Sequence, residues 1–241
     1  MNGMVDIHSH ILPKMDDGSR SCEESIRMLA ASAEQGVDVI AATSHFYPTE
    51  NSPEEFLHRR RASYDRLCEA MKADGRAFPR IVLGAEVYYF EGISSAENVE
   101  LLRIEGTPLL LLEMPFSPWT SRMVDEIKRL HERQGITVLM AHVERYERWQ
   151  KEDVWDDLSE HGILMQHNAE HFLSWRTKRK ALRHLHTGRV RFIGSDCHNM
   201  TSRPPRLGEA MRVIDPETLE ALSAYARRWL PDDSDSTHDL Q

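Results

Sequence analysis

Short apolar runs alternate with amphipathic stretches along almost the whole chain. Seven of the runs read as strands, at 4–7, 37–43, 80–87, 108–114, 136–141, 163–168 and 190–195. Between them, apolar positions recur at helical spacing. Ser21-Cys22-Glu23-Glu24 has the spacing of a capping box, followed by Ile26, Leu29, Ala30 and Ala33 on one face and Gly36 as a stop. Ser52-Pro53-Glu54-Glu55 repeats the device with proline at the first helical position, ahead of Phe56, Tyr64, Leu67, Cys68 and Met71. Further helices fit 121–134, 152–161 and 178–186, and a last one spans 216–229.

Repeated strand–helix units imply a parallel sheet, either open or closed. Six of the seven strands run into a His, Asp or Glu at or just past their C-terminal end. A (β/α) barrel gathers those ends on one face, whereas an open sheet spreads them along a crevice, so closure is the expectation. No linker or internal repeat interrupts the pattern. One α/β domain is expected over 1–230, followed by an acidic tail at 231–241 whose four aspartates and lone leucine predict disorder.

The 241 residues carry a formal charge of −9, which argues against a nucleic-acid partner. It leaves anionic substrates open if bound cations reverse the local sign. No apolar run approaches the roughly 18 residues of a membrane span, and no charged-then-apolar leader precedes Met4-Val5-Asp6-Ile7-His8. Cys22, Cys68 and Cys197 are an odd count without paired spacing, which suits a reducing compartment and predicts a cytoplasmic protein.

The chemistry lies at the strand ends. His8 and His10 sit two apart in an extended segment and can face the same side; two packed histidines are the plain alternative. Asp16-Asp17-Gly18 follows as a turn with two carboxylates. Later strands lead to His45, Glu86, Glu113, His142, and the Asp196-Cys197-His198 run. Counting Asp17 among them, these residues offer five imidazoles and four carboxylates, a mixture that suits Mn²⁺, Fe²⁺ or Zn²⁺ better than a salt-bridge network. Nine donors are too many for one ion and enough for two or three. Three divalent ions would turn four negative charges into a site that attracts a dianion and acidifies a bound water. Phosphate monoesters fit that description. Arg145, three residues past His142, and Arg203, five past His198, are candidate phosphate clamps.

At these residues the sequence resembles the bacterial manganese-dependent tyrosine phosphatases of the polymerase-and-histidinol-phosphatase (PHP) superfamily, usually associated with capsular or exopolysaccharide production. The matching stretches are 6–13, Asp16-Asp17-Gly18, Thr43-Ser44-His45, 84–89, 141–146 and 195–199 with Arg203. The resemblance implies a distorted (β/α)7 TIM-like barrel, the PHP fold, with a trinuclear site. Its ligands would be His8, His10, Asp17, His45, Glu86, Glu113, His142, Asp196 and His198, with Arg145 and Arg203 binding phosphate. It also implies Mn²⁺ as the cofactor and, as substrate, phosphotyrosine on the tail of a bacterial tyrosine autokinase that controls polysaccharide export. The expected mechanism is in-line attack by a metal-bridging hydroxide without a phosphoenzyme. The proton for the leaving tyrosine could come from a metal-bound water or a site histidine.

Three other readings compete. Cys197 to Arg203 has the Cys-x5-Arg spacing of cysteine-based phosphatases, but no glycine lies between them and Asp196 would raise the thiol pKa. The metals could instead serve histidinol phosphate, another small phosphomonoester or a phosphodiester, or a non-catalytic metal-binding module. Among lesser features, His58-Arg59-Arg60-Arg61 reads as a solvated face, with an acidic kinase tail as the other option. Gln166 and Asn168 are expected to line the pocket. Phe46-Tyr47-Pro48 and Tyr88-Tyr89 are expected to pack, with walls for a phosphotyrosine ring as the other option. His131, His161, His171, His184 and His186 receive no role.

Overall fold

Both capping signals start helices where the spacing places them. Ser21 Oγ accepts from the Glu24 amide ahead of α1 (Cys22–Glu34), and Ser52 and Glu55 form a complete capping box ahead of α2 (Pro53–Asp74). Left-handed Gly75 ends α2. The remaining helices are α3 (Ser121–His131), α4 (Glu152–Glu160), α5 (Ala169–Leu173), α6 (Lys178–His186), α7 (Leu207–Met211) and α8 (Pro216–Arg227). The computed structural model describes residues 4–230, so the tail at 231–241 lies outside the described residues.

The strands are β1 (Met4–Ser9), β2 (Val37–Ala42), β3 (His45–Phe46), β4 (Arg80–Leu83), β5 (Glu86–Tyr88), β6 (Leu109–Glu113), β7 (Thr137–Met140), β8 (Leu164–Asn168) and β9 (Phe192–Gly194), all paired in parallel. They fall into two ladders, β1-β2-β4 and β3-β5-β6-β7-β8-β9. The third expected strand, 80–87, is broken into β4 and β5, and the second, 37–43, is followed after a break by β3, so that β2 and β3 form one interrupted pair. At the break the Glu86 amide is shared between the carbonyls of Thr43 and Ser44 at 3.1 Å, which interrupts the ladder. Gly84 fits there because a Cβ would meet Ile104 at 3.0 Å and Thr43 at 3.2 Å.

Counting each broken pair as one stave leaves seven. The ring closes where β1 meets the segment after β9: the His10 amide donates to Cys197 O at 2.9 Å and the Asp196 amide to His8 O at 2.8 Å. This is the distorted (β/α)7 barrel. Val5, Ile7, Val39, Ala41, Val82, Leu109, Leu111, Leu139, Ala141 and Phe192 form one apolar cluster inside it, joined by Ala226 and Leu230 from α8 and the residues after it. Intervening residues such as Ile40, Leu110, Leu112, Met140 and Met165 pack in the larger layer with the helices. One surface expectation fails. Arg60 is buried and ties α2 to the strand break, donating to Gly84 O at 3.0 Å and pairing with Glu105 at 2.7 Å.

Candidate metal centre

Strand parity alone would send His8 and His10 outward, because Val5 and Ile7 already belong to the barrel interior. Between the Asp6–Ile40 and Ser9–Ala42 pairings, however, three steps of β1 oppose two of β2. That bulge switches the alternation and turns both histidines toward the inward-facing Glu86 and Asp196. His142 reaches the same mouth from a left-handed backbone at φ 30°, directly after inward-facing Ala141, and Asp196 sits at φ 51°. Non-glycine residues at such angles cost energy and collect at functional sites.

Four donors surround one point. Five separations among His8 Nε2, His10 Nε2, Glu86 Oε2 and Asp196 Oδ1 run from 3.1 to 3.6 Å. Glu86 extends the cluster to His45 Nδ1 at 3.1 Å and to His142 Nε2 at 2.8 Å, and Glu113 lies 3.7 Å from each of those two nitrogens. On the outer side, Asp17 Oδ1 lies 3.3 Å from His198 Nε2 and 3.6 Å from His45 Nε2. All nine sequence-predicted donors therefore meet in one mouth. Eight are held in the walls, and Asp17, with its side chain 67% exposed, forms the rim.

The residues fit divalent cations. Ligand atoms about 2.0–2.1 Å from a shared tetrahedral ion lie about 3.3–3.4 Å from one another, close to the spacing seen here. His45 Nδ1, Glu86 Oε2 and His198 Nε2 are buried without a hydrogen-bond partner, although charged neighbours stand 3.1–3.7 Å away. Such atoms are arranged about common points rather than along hydrogen-bond directions. Burial, and then the charge of Glu86, push Glu113 up to about 8. Burial works the same way on Glu86, but His8 and His45 overcome it and hold that carboxyl well below the ordinary range.

Further side chains fix the donors. Asp16 Oδ2 accepts from His10 Nδ1 and from the His45 amide, each at 2.8 Å, which leaves His10 Nε2 free for the mouth. Gln166 Oε1 stands 3.3 Å from His8 Nδ1 and accepts from the His142 amide at 2.8 Å. Asp196 O stands 3.0 Å from His198 Nδ1. Sequence reasoning pointed to Gln166 and Asn168 but treated Asp16 as a turn residue. Arg145, Arg203 and Asn168 all converge on Asp196 Oδ2, each at 2.6 Å. The two arginines thus flank the donor cluster with about a third of each side chain exposed.

Aromatic rings border the mouth. Tyr47 stacks on His45 at 5.3 Å and neighbours Tyr88, while Tyr89 is turned away to Glu126. On the opposite side Phe116, 44% exposed, stacks on His142 and Tyr146 and touches Trp149. Phe116 lies in the loop after β6, and no sequence signal set it apart. Cys197 is fully buried, and burial together with the nearby Asp6 charge pushes its thiol up to about 12, which removes it as a thiolate nucleophile.

The sequence profile of the capsular polysaccharide synthesis family CpsB/CapC matches residues 4–227. The chain belongs to the CpsB/CapC family. Its relatives include the tyrosine-protein phosphatase CpsB of Streptococcus agalactiae serotype V, 32% identical over 228 residues that cover 88% of this chain and 89% of the relative. The tyrosine-protein phosphatase YwqE of Bacillus subtilis is 30% identical over 89% of this chain and 85% of its own length. Among solved structures, YwqE from B. subtilis and CpsB from Streptococcus pneumoniae are described as unique metal-dependent tyrosine phosphatases. That match superposes with a TM-score of 0.82 at 25% identity, over 94% of both chains. A phosphotriesterase homology protein from Escherichia coli, at 0.51 and 11% identity, shares the fold alone. Among the described residues, no helix is long and apolar enough to cross a membrane.

Proposed function

We propose that this chain is a metal-dependent protein-tyrosine phosphatase whose nine mouth donors hold two or three divalent cations, Mn²⁺ first, with Fe²⁺ and Zn²⁺ as the other ions suited to the same donors. The observation that carries the reading is the set of His8, His10, Glu86 and Asp196 atoms at ligand-to-ligand spacing, with orphaned donor atoms beside them. Family membership and the phosphatase relatives support the same reaction class.

When bound, the cations would supply Lewis acidity toward phosphoryl oxygens and acidify a water into a nucleophile near neutral pH. The chain does the positioning. Asp16 and Gln166 hold His10 and His8 with their Nε2 atoms turned to the mouth. Arg145 and Arg203 carry forked donors beside Asp196, where they reach equatorial phosphate oxygens and orient the ester for in-line attack. Cys197 offers no thiolate, which removes the cysteine route, and the nucleophile in this reading is water, without a phosphoenzyme. Tyr47 and Phe116 flank the entrance as walls for an aryl leaving group, and a phenol with a pKa of about 10 departs with little acid assistance. The substrate we favour is phosphotyrosine on the tail of a tyrosine kinase that controls capsular or exopolysaccharide production, met in the cytoplasm, where three unpaired thiols are at home.

Phosphate release from a phosphotyrosine peptide and from an alkyl phosphomonoester, after chelation and with or without Mn²⁺, tests the reading. Mn²⁺-dependent turnover with preference for the aryl ester is expected. Full activity of the stripped protein, or no phosphoester turnover with Mn²⁺ present, overturns it.

A further inference from the structure

A second cluster of histidines lies outside the mouth, on the other face of β8. Gln166 and Asn168 face the donor centre, so strand alternation turns His167, between them, outward beneath α5 and α6. There it meets His184 of α6 and Glu147, which lies in the loop after β7. His167 Nε2 stands 3.3 Å from His184 Nδ1, and Glu147 Oε1 lies 3.6 Å from the same nitrogen. Each of the three residues offers one ligand atom, and those atoms fall within 4.8 Å of one another. Both imidazoles are buried, and His167 Nδ1 has no hydrogen-bond partner.

We infer that Glu147, His167 and His184 form a separate zinc site behind the barrel wall. Two imidazoles and one carboxylate are a common three-residue set for Zn²⁺, with the fourth position left to water. The nitrogen–nitrogen spacing of 3.3 Å matches that of two ligands on one tetrahedral ion, about 3.3–3.4 Å; Glu147 Oε1 is already 3.6 Å from His184, and binding would turn the carboxylate toward His167, within 4.8 Å of it. His184 also lines an open cavity of about 370 Å³ with Glu152, Asp156 and Arg189, so the cluster lies next to open space.

Lys180 places its ammonium 2.6 Å from Glu147 Oε2, the oxygen the ion does not need, and its side chain is 41% exposed. It holds the carboxylate in place without occupying Oε1. Burial, and then the charges of Arg189, Lys180 and Arg183, lower His184 to about 4, and burial, followed by the neighbouring His171, His184 and Lys180, holds His167 well below the ordinary imidazole range. Both rings are neutral at physiological pH and ready to ligate. Without an ion, the same two rings simply share one hydrogen bond, and the experiment separates these states.

The full chain, stripped with a chelator, is dialysed against Zn²⁺ and the bound metal counted, for the wild type, Glu147→Gln and His184→Ala. Because both substitutions lie outside the mouth, the difference in count isolates the rear site whatever the mouth retains. Each variant is expected to bind one Zn²⁺ fewer per chain while keeping Mn²⁺-supported peptide hydrolysis within about twofold of wild type. Glu147→Gln preserves the buried packing, so it carries the test if His184→Ala does not fold. Equal zinc counts in all three proteins overturn the inference. So does a loss of zinc accompanied by a matching loss of activity, which would make the cluster a prop for the mouth.

Discussion

Replacing Asp16 by Asn tests how much of the metal affinity resides outside the donors themselves. Asp16 serves three hydrogen bonds with two oxygens: His10 Nδ1 and the His45 amide at 2.8 Å on Oδ2, and the Gly18 amide at 3.0 Å on Oδ1. Its side chain is only 4% exposed, so water cannot replace a lost partner. Burial alone would raise its pKa, but the charges and hydrogen bonds of His10 and His45 hold it well below the ordinary carboxylate range. An Asn amide has one acceptor oxygen. If that oxygen faces His10, the NH₂ group confronts the Gly18 N–H; if it is flipped, two donors confront His10 and His45. Either way at least one bond is lost, and the remaining bond to His10 loses its charge assistance. Removing the carboxylate behind a metal-binding histidine costs about 10- to 100-fold in metal affinity, or about 1.4–2.7 kcal/mol. Asp16→Asn should therefore raise the Mn²⁺ concentration for half-maximal hydrolysis by that factor. The rate at saturating Mn²⁺ should return to within a few-fold of wild type. Metal titration of the stripped protein, followed by activity and by calorimetry, gives both numbers. An unchanged midpoint, or a rate that saturating metal does not restore, would refute the positioning role.

Arg145→Lys and Arg203→Lys keep the charge but lose the fork, so each should lower kcat/KM for a phosphotyrosine peptide by roughly 10- to 100-fold without changing the Mn²⁺ midpoint more than a few-fold; steady-state kinetics at saturating metal measures this. Cys197→Ser should leave turnover within a few-fold of wild type, and loss of activity in a correctly folded variant would restore the thiol mechanism. For pH, His171 and His184 are both lowered to about 4, mainly by burial, whereas unfolded imidazoles titrate near 6.5. The unfolded chain therefore takes these protons first, so the stability contributed by the neutral rings is present above about 6.5 and is lost as the pH falls toward about 4. Thermal melts in chelator should show a larger fall between pH 7 and pH 5 for the wild type than for His171→Gln.

The strands were legible because most are uninterrupted apolar runs, and β6 is buried on both faces along its whole length. The breaks at 43–44 and 84–85 were not, because a bulge belongs to a pair of strands and shows only when the partner's register is known. The same holds for His8 and His10. Their i, i+2 spacing predicts a shared face, but which face depends on the β1 bulge. Donors at strand ends could be read because the barrel itself converts a terminal position into a place. Asp16 could not, since an Asp-Asp-Gly turn has the same composition whether its first carboxylate caps a loop or grips an imidazole. Arg60 looked like part of a solvated basic run, and only the packing of α2 on the strand break turns it inward. His167 and His184 lie 17 residues apart on a strand and a helix, and no periodicity links such positions.

The seam of the barrel has a consequence for how the molecule opens. Asp6 holds the Ser195 amide across 189 positions of chain, and His8 and His10 share their centre with Asp196 and His198 from the far end. Ions held there would act as a clasp on a ribbon wrapped once around, gripping the two edges that come together last and gain least from local contacts. In the stripped protein the His10 and Asp196 amides should exchange their hydrogens sooner than those of β6 and β7. Added Mn²⁺ should slow the two seam amides far more than the rest of the wall.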